Sequence, residues 1–230
     1  MVTCPNYFRD GIAKIAARRY PVAMGDLLRE RGWAKIPDVT TDRFLDIARW
    51  LGKPLHRPSG IIEKLVIRNR EDAPSRSLSG IYGRGEFPLH TDFATHAVPP
   101  RYVVLRNVCT EPVRPTMIQP LSELLRSDGV SRILRRRVWA VRGGPTAFYA
   151  TVLFGAGAFV RWDAACMFPI PATAEAATTW GRCLALSNPI HIDWGVHTVL
   201  IIDNWRTLHG RGGGAMASDS ERTIERIVVS

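Results

Sequence analysis

The stretch PLHTDFATHAVPP, residues 88–100, sets His90 and Asp92 one residue apart, just ahead of a paired proline and the apolar run RYVVL. On an extended chain, residues i and i+2 face the same side, so an imidazole nitrogen and a carboxylate oxygen can be presented to a common point. Two ligands do not hold a catalytic metal, and a third must come from elsewhere. His209 fits that role: in TVLIIDNWRTLHGRGG, a buried strand runs out through Asp203, Asn204 and Trp205 into a short turn carrying the histidine. Two histidines and one carboxylate form the facial set that leaves three positions open on a non-haem Fe(II), and open positions are what oxygen chemistry requires. A competing constellation, His191, Asp193 and His197, supports a zinc or other divalent-metal hydrolase instead. His56 and His96 read as surface or core histidines.

The elements that must position these groups follow from periodicity. With 230 residues and 46% apolar content, the chain can bury a substantial core as one domain over 1–230, with N-terminal helices and a helical insert around 172–186. DRFLDIARWL, residues 42–51, puts Phe44, Ile47, Ala48 and Leu51 on one helical face, with Thr41 as the cap and Gly52 and Pro54 ending the element. PVAMGDLLRERGW, from Pro21, reads as an earlier helix feeding a strand near residues 34–36. Strand-like segments follow at KLVIRN, RYVVLRNV, PTMIQ, VWAVRG, FVRWD, TVLIIDNW and TIERIVV. PLSELLRSDGVSRILRRR reads as two short helices broken at Gly129, and PATAEAATTWGRCLAL as the insert helix. Strands outnumber helices without regular strand-helix alternation, which argues against a parallel α/β sheet. The expected fold is mainly β with flanking helices, a double-stranded β-helix or jelly roll.

Charge and cysteine usage narrow the partners. The net charge of +10 comes from dispersed basic residues, and the single run, RRR at 135–137, ends a predicted helix where cations suit the dipole. This argues against nucleic acid, whose binding needs clustered cations, and favours small anionic substrates or cosubstrates. Cys4, Cys109, Cys166 and Cys183 are scattered without a CxxC pair and read as reduced core thiols. Neither a membrane-crossing apolar stretch nor a charged-then-apolar leader is present, so a soluble, cytoplasmic protein acting on a small molecule is expected. A jelly-roll binding module without turnover is the remaining alternative.

RGWAKI (31–36), FLDIARWLGKP (44–54), GEFPLHTDFATHAVPPRYVVLRNV and IIDNWRTLHGRG follow one another in an order and spacing that resemble the Fe(II)- and 2-oxoglutarate-dependent dioxygenases of the taurine dioxygenase (TauD/TfdA) and clavaminate synthase-like family. The resemblance covers most of the chain. It implies Fe(II) held by His90, Asp92 and His209, with 2-oxoglutarate and O2 as cosubstrates, and it points to Thr116 and Arg222 as anchors of 2-oxoglutarate. Arg222 lies 13 residues beyond His209, and its planar fork suits a carboxylate in two-point contact. By the same analogy Arg226 reaches the cosubstrate or an anionic substrate, Asp163 pairs with a substrate amine or guanidinium, and Arg84 and Tyr82 line the entrance. One departure is GRGGGAMASDSERT after His209, where the family usually has a compact loop with an aromatic; it leaves open which of Arg222 and Arg226 holds the carboxylate. Halogenating relatives carry a small residue in place of Asp92, so hydroxylation, desaturation or ring closure of a small polar metabolite, an amino acid or natural-product intermediate, is the implied reaction.

Overall fold

Apolar residues on the central strands point alternately to two sides, and this alternation separates three apolar layers. The computed structural model describes residues 22–74, 77–111, 113–126, 128–155, 159–213 and 223–230. The chain runs through helix α1 (22–31), strand β1 (Trp33–Ile36), α2 (Thr41–Leu51), β2 (Glu63–Val66), α3 (Leu78–Tyr82), β3 (Phe87–His90) and β4 (Tyr102–Asn107). It continues with β5 (Thr116–Pro120), α4 (Leu121–Leu124), α5 (Asp128–Arg136), β6 (Val138–Val141), β7 (Phe148–Thr151), β8 (Leu153–Phe154), β9 (Phe159–Val160) and β10 (Met167–Pro169). The last elements are α6 (Ala174–Ala185), β11 (Ile190–Ile192), β12 (Val199–Asp203), β13 (Thr207–Arg211) and β14 (Thr223–Val229).

A five-stranded sheet, in the order β1, β12, β4, β14, β2, faces a four-stranded sheet in the order β11, β5, β13, β3, and every pairing is antiparallel. Val103 and Leu105 of β4, Leu200 and Ile202 of β12 and Ile224 of β14 meet Ile118 and Ile192 from the opposite sheet. On the same strands Val104, Val199, Ile201 and Ile227, of opposite parity, turn the other way, onto Met24, Leu28, Phe44 and Ala48 of α1 and α2. Behind the four-stranded sheet, Leu89, Met117 and Leu208 pack on a layer built around Leu134, Trp139 and Trp180. Each such fully buried side chain contributes about 1.5–3 kcal/mol of apolar transfer. This is the jelly-roll sandwich expected from the sequence, with helices on its outside. Among the described residues no helix is long and apolar enough to cross a membrane.

Local details depart from the sequence reading. The N-cap of α2 is Thr40, which is extended and accepts from the Arg43 amide at 3.5 Å, while Thr41 is already helical. The first helix ends at Leu124 and the second starts at Asp128, so Gly129 lies in the first turn of α5, where the amides lack intrahelical partners and glycine costs little. FVRWD is a strand only over Phe159–Val160, because Arg161 and Trp162 are drawn into bonds with residues 91–97. His209 sits inside β13 and not in a turn, since the link from β12 takes only residues 204–206.

Candidate metal centre and its cavities

On β13, Leu208 faces the outer layer, so Thr207, His209 and Arg211 face the space between the sheets. The register pairs His209 with His90 on β3 and with Ile118 on β5, and pairs Arg211 with Thr116. The chemistry-bearing residues of three strands therefore share one face. A bulge interrupts the β3–β13 ladder: His209 opposes His90 but Arg211 opposes Phe87, so Pro88 and Leu89 stand against Gly210 alone. Pro88 has no amide to give the ladder, and Gly210 is the residue that can tolerate the approach, because a Cβ there would lie 2.5 Å from the Phe87 carbonyl oxygen. The Pro88 carbonyl accepts from His90 Nδ1 at 2.9 Å. A carbonyl cannot donate, so Nδ1 carries the proton and the Nε2 lone pair is left free for a ligand.

Strand β3 ends at His90, and Asp92 follows where the chain turns away. Its place is fixed by Asn204, a fully buried residue of the β12–β13 link, which accepts from the Asp92 amide at 2.9 Å and donates to the Asp92 carbonyl at 3.0 Å and the Pro100 carbonyl at 2.9 Å. The outcome is convergence. Asp92 Oδ1 lies 3.6 Å from His90 Nε2 and 3.7 Å from His209 Nε2, the two rings are 4.6 Å apart, and one ligand atom from each of the three residues falls within 4.8 Å of the others. Among the described residues this is the one metal-type group of three. His191, Asp193 and His197 do not form such a group: His191 is in β11, whereas His197 follows the strand in a left-handed turn, φ 55°, tied by its backbone to Val39 and Asn107.

Charge organises around Asp92. Burial works to raise its pKa, but the Arg226 guanidinium and both histidines outweigh this and hold the carboxyl well below its usual range. Burial works to lower the His90 pKa, and the bond and charge of Asp92 overcome it, leaving it raised. For His209 burial prevails, so its pKa is lowered and the ring is held neutral, the form that ligates a metal. His209 Nδ1 is buried without a hydrogen-bond partner among the described residues.

Arg226, on the inward face of β14, donates to Asp92 Oδ2 at 2.8 Å and to Glu63 Oε2 at 2.9 and 3.1 Å, and Glu63 Oε1 also accepts from Arg57 at 3.4 Å. Burial works against the Arg226 charge, yet the two carboxylates raise its pKa. Both guanidiniums lie over the Phe93 ring, at 5.2 and 4.7 Å. Arg226, Glu63 and Asn204 are the partners that sequence reasoning left without these roles. Arg222 lies outside the described residues.

One cavity opens onto all three residues and a second reaches His90 and Asp92. The first, about 540 Å³, runs between the sheets and is lined by Lys64, Leu105, Thr116, Arg211 and Ile224 beside all three triad residues. In it the Thr116 hydroxyl accepts from the Trp194 indole N–H at 3.1 Å, which leaves its own proton to donate. Arg211 stacks on Phe87 at 3.7 Å and bonds to the Gly83 and Gly85 carbonyls. The second cavity, about 910 Å³, adjoins the first at Ser77, Leu78, His90 and Asp92 and is lined further by Phe93, His96, Arg142, Asp163 and Phe168. Tyr82 packs near Phe87, at 6.0 Å between rings, and burial and the charge of Asp163 raise its pKa. Arg84 turns to Asn69 at 2.6 Å and lines neither cavity.

The architecture has counterparts among solved structures. The chain is similar to the non-haem iron oxygenase OrfP in complex with Fe and alpha-ketoglutaric acid, with a TM-score of 0.70 and 16% identity over 96% of this chain and 80% of that one. It is similar to asparagine oxygenase in complex with Fe(II), 2S,3S-3-hydroxyasparagine and succinate, with a TM-score of 0.71 and 18% identity over 92% and 79% of the two chains. The PvcB protein from Pseudomonas aeruginosa gives a TM-score of 0.66 and 16% identity over 91% and 79%. No protein-family model and no curated protein matches the sequence. At these identities the likeness establishes the shared jelly-roll fold.

Proposed function

We propose that this chain is an Fe(II)- and 2-oxoglutarate-dependent oxygenase of the TauD/TfdA type that hydroxylates, desaturates or cyclises an unactivated C–H of a small polar metabolite, an amino acid or natural-product intermediate. The observation that carries the proposal is the convergence of His90, Asp92 and His209, from three distant segments, beside a cavity that opens onto all three. The fold neighbours include oxygenases described with Fe and alpha-ketoglutarate or succinate, which supports the same reading.

The residues fit a non-haem Fe(II). Two imidazoles and one carboxylate supply the right donor set, and the His90 tautomer leaves Nε2 free for a ligand. When bound, Fe(II) supplies activation of O2 coupled to conversion of 2-oxoglutarate to succinate and carbon dioxide. Arg226 holds Asp92 Oδ2, so that Oδ1 is the oxygen turned to the histidines. In the first cavity the Thr116 proton is directed to a carboxylate of 2-oxoglutarate, with Arg222 as the further anchor, and Leu105 and Ile224 exclude water. In the second cavity Asp163 takes a cationic group of the substrate and orients its C–H toward the metal.

Anaerobic addition of Fe(II) and 2-oxoglutarate tests this. The wild type develops a weak visible charge-transfer band and releases succinate when oxygen is admitted; His90→Ala folds and shows neither. An unchanged band in His90→Ala overturns the ligand assignment.

A further inference from the structure

A third cavity, about 280 Å³, lies away from the metal centre and shares no lining residue with the first two. It sits where α1 and α2 meet the start of β4 and the end of β12. Tyr102, the first residue of β4, packs with the apolar layer between the five-stranded sheet and these helices, on the far side of that sheet from the triad. Backbone bonds hold the cavity together. Helix α1 closes at Gly32, whose amide donates to the Leu28 carbonyl at 3.0 Å and whose carbonyl accepts from the Asp203 amide at 2.8 Å. The Asn204 amide donates to the Arg101 carbonyl at 2.7 Å, so the β12–β13 link is tied both to α1 and to the entry of β4. The Trp50 indole of α2 lies against α1 at Gly25, where a Cβ would meet its Cη2 at 3.7 Å.

The donors on this wall are only partly used within the protein. Arg206 Nη1 donates to the Leu28 and Arg29 carbonyls at 3.3 and 2.8 Å, where a cation suits the end of α1, but its Nε and Nη2 make no hydrogen bond among the described residues. Arg101 meets Asp203 Oδ2 only at 3.5 Å, and its guanidinium is held over the Tyr102 ring at 5.0 Å and the Trp205 ring at 5.5 Å. The Tyr102 hydroxyl has no hydrogen-bond partner among the described residues, and burial and then the charge of Asp203 raise its pKa, so it keeps its proton to donate. Asp203 is buried and spends Oδ1 on the Trp205 amide at 3.1 Å, while Arg29 is already paired with Asp26 at 2.7 Å. Two guanidiniums facing one carboxylate leave the cavity positive. Beside them stands Trp50, an indole 45% exposed, with Leu28 and Leu51 completing an apolar side. Unused donors converging beside an exposed ring are the lining of a small-molecule site.

We infer that this third cavity binds a small oxyanion carried on a flat apolar group, with Arg101, the free side of Arg206 and the Tyr102 hydroxyl taking the oxygens and Trp50 taking the flat group. The inference goes beyond the oxygenase reading and does not rest on it, because neither the triad nor the first two cavities take part. Guanidiniums and a phenol can only donate here, so a neutral ring lacks what they require, whereas an anion without a ring leaves the indole in water. A carboxylate and a phosphate monoester offer the same oxygens, and the choice between them is read directly from binding.

Calorimetric titration of the full chain, without added metal, tests this with benzoate and phenyl phosphate as flat anions, acetate and inorganic phosphate as the same anions without a ring, and benzyl alcohol as a ring without charge. Benzoate or phenyl phosphate binds, and does so at least roughly 10-fold more tightly than benzyl alcohol; whichever binds more tightly identifies the oxyanion. Arg101→Gln weakens that flat anion roughly 10- to 100-fold, and Arg101→Lys restores part of the loss. Trp50→Ala weakens it roughly 2- to 10-fold and leaves acetate and inorganic phosphate unchanged. Both side chains are exposed, so their replacement leaves the fold intact, which an unchanged urea midpoint checks. Absence of binding by both flat anions overturns the site, and so does binding that survives Arg101→Gln and Trp50→Ala undiminished, since the anion then sits elsewhere. Acetate or inorganic phosphate binding as tightly as its flat counterpart overturns the role of Trp50.

Discussion

The bond from the Trp194 indole to Thr116 Oγ1 makes a definite demand on cosubstrate affinity. Thr116 is buried, and its hydroxyl has one proton and two acceptor positions. With Trp194 Nε1 donating to it at 3.1 Å, the hydroxyl is oriented to donate into the first cavity. In the proposed role of Thr116, Thr116→Val removes a hydrogen bond to a charged carboxylate, about 1.5–3 kcal/mol, so the Kd for 2-oxoglutarate rises roughly 10- to 100-fold. Trp194→Phe keeps the apolar ring and removes only a neutral bond, about 0.5–1.5 kcal/mol, so the Kd rises roughly 2- to 10-fold. The decisive comparison is the double mutant, because a residue that acts through the hydroxyl has nothing to act on once the hydroxyl is gone. In the Thr116→Val background, Trp194→Phe therefore adds no further loss. The assay is anaerobic titration of 2-oxoglutarate into the Fe(II)-loaded protein, followed by its visible band. If Trp194→Phe weakens binding by the same factor in both backgrounds, the indole acts by packing and the orientation argument is refuted.

Further outcomes rest on particular contacts. Arg106 and Glu225 form a buried pair at 2.6 and 2.9 Å that joins β4 to β14, with Arg106 also reaching Val39 and Thr41. Glu225→Ala strands the buried guanidinium and lowers stability by about 3–5 kcal/mol in urea unfolding, while the band per folded molecule is unchanged. Asn204→Ala frees both backbone groups of Asp92, so Fe(II) affinity falls roughly 10- to 100-fold in a band titration at fixed 2-oxoglutarate. Burial and then the charge of Asp163 push the Cys166 thiol up to about 12, so alkylation followed by mass spectrometry finds it unmodified at pH 8 in native protein and modified after denaturation. The folded state keeps the proton that the unfolded chain releases near its ordinary value of 9.0, so stability is lost as pH rises from there toward 12, and less so in Cys166→Ala.

The row of charges from Asp92 through Arg226 and Glu63 to Arg57 ties the site to the sheet edge. Arg226 and Glu63 are cross-strand partners in the β14–β2 register, so pairing of an edge strand positions the guanidinium that holds Asp92 Oδ2. Packing of Phe93 under both guanidiniums gives this row a fixed path, and the left-handed backbone of Phe93, at φ 59°, is what brings its ring there.

Residue types and order determined much of this protein by themselves. The two-residue spacing of His90 and Asp92, the histidine beyond a continuous apolar strand, and the alternation in RYVVL and TVLIID are local properties, because side-chain direction along an extended chain depends only on parity. They were enough to indicate a jelly roll and a candidate metal group. What tertiary structure decided depends on contacts between segments about 70 to 130 residues apart: Asn204 on Asp92, Trp162 on Thr91, Trp194 on Thr116 and Arg226 on Asp92. It also decided the small things that a one-residue shift changes, such as Thr40 and not Thr41 at the helix cap, Gly129 inside a helix, and His209 within a strand opposite a proline bulge. A sequence specifies which groups can bond, but geometry selects the partner, because many donors compete for each buried acceptor and only the packed chain brings one within 3 Å.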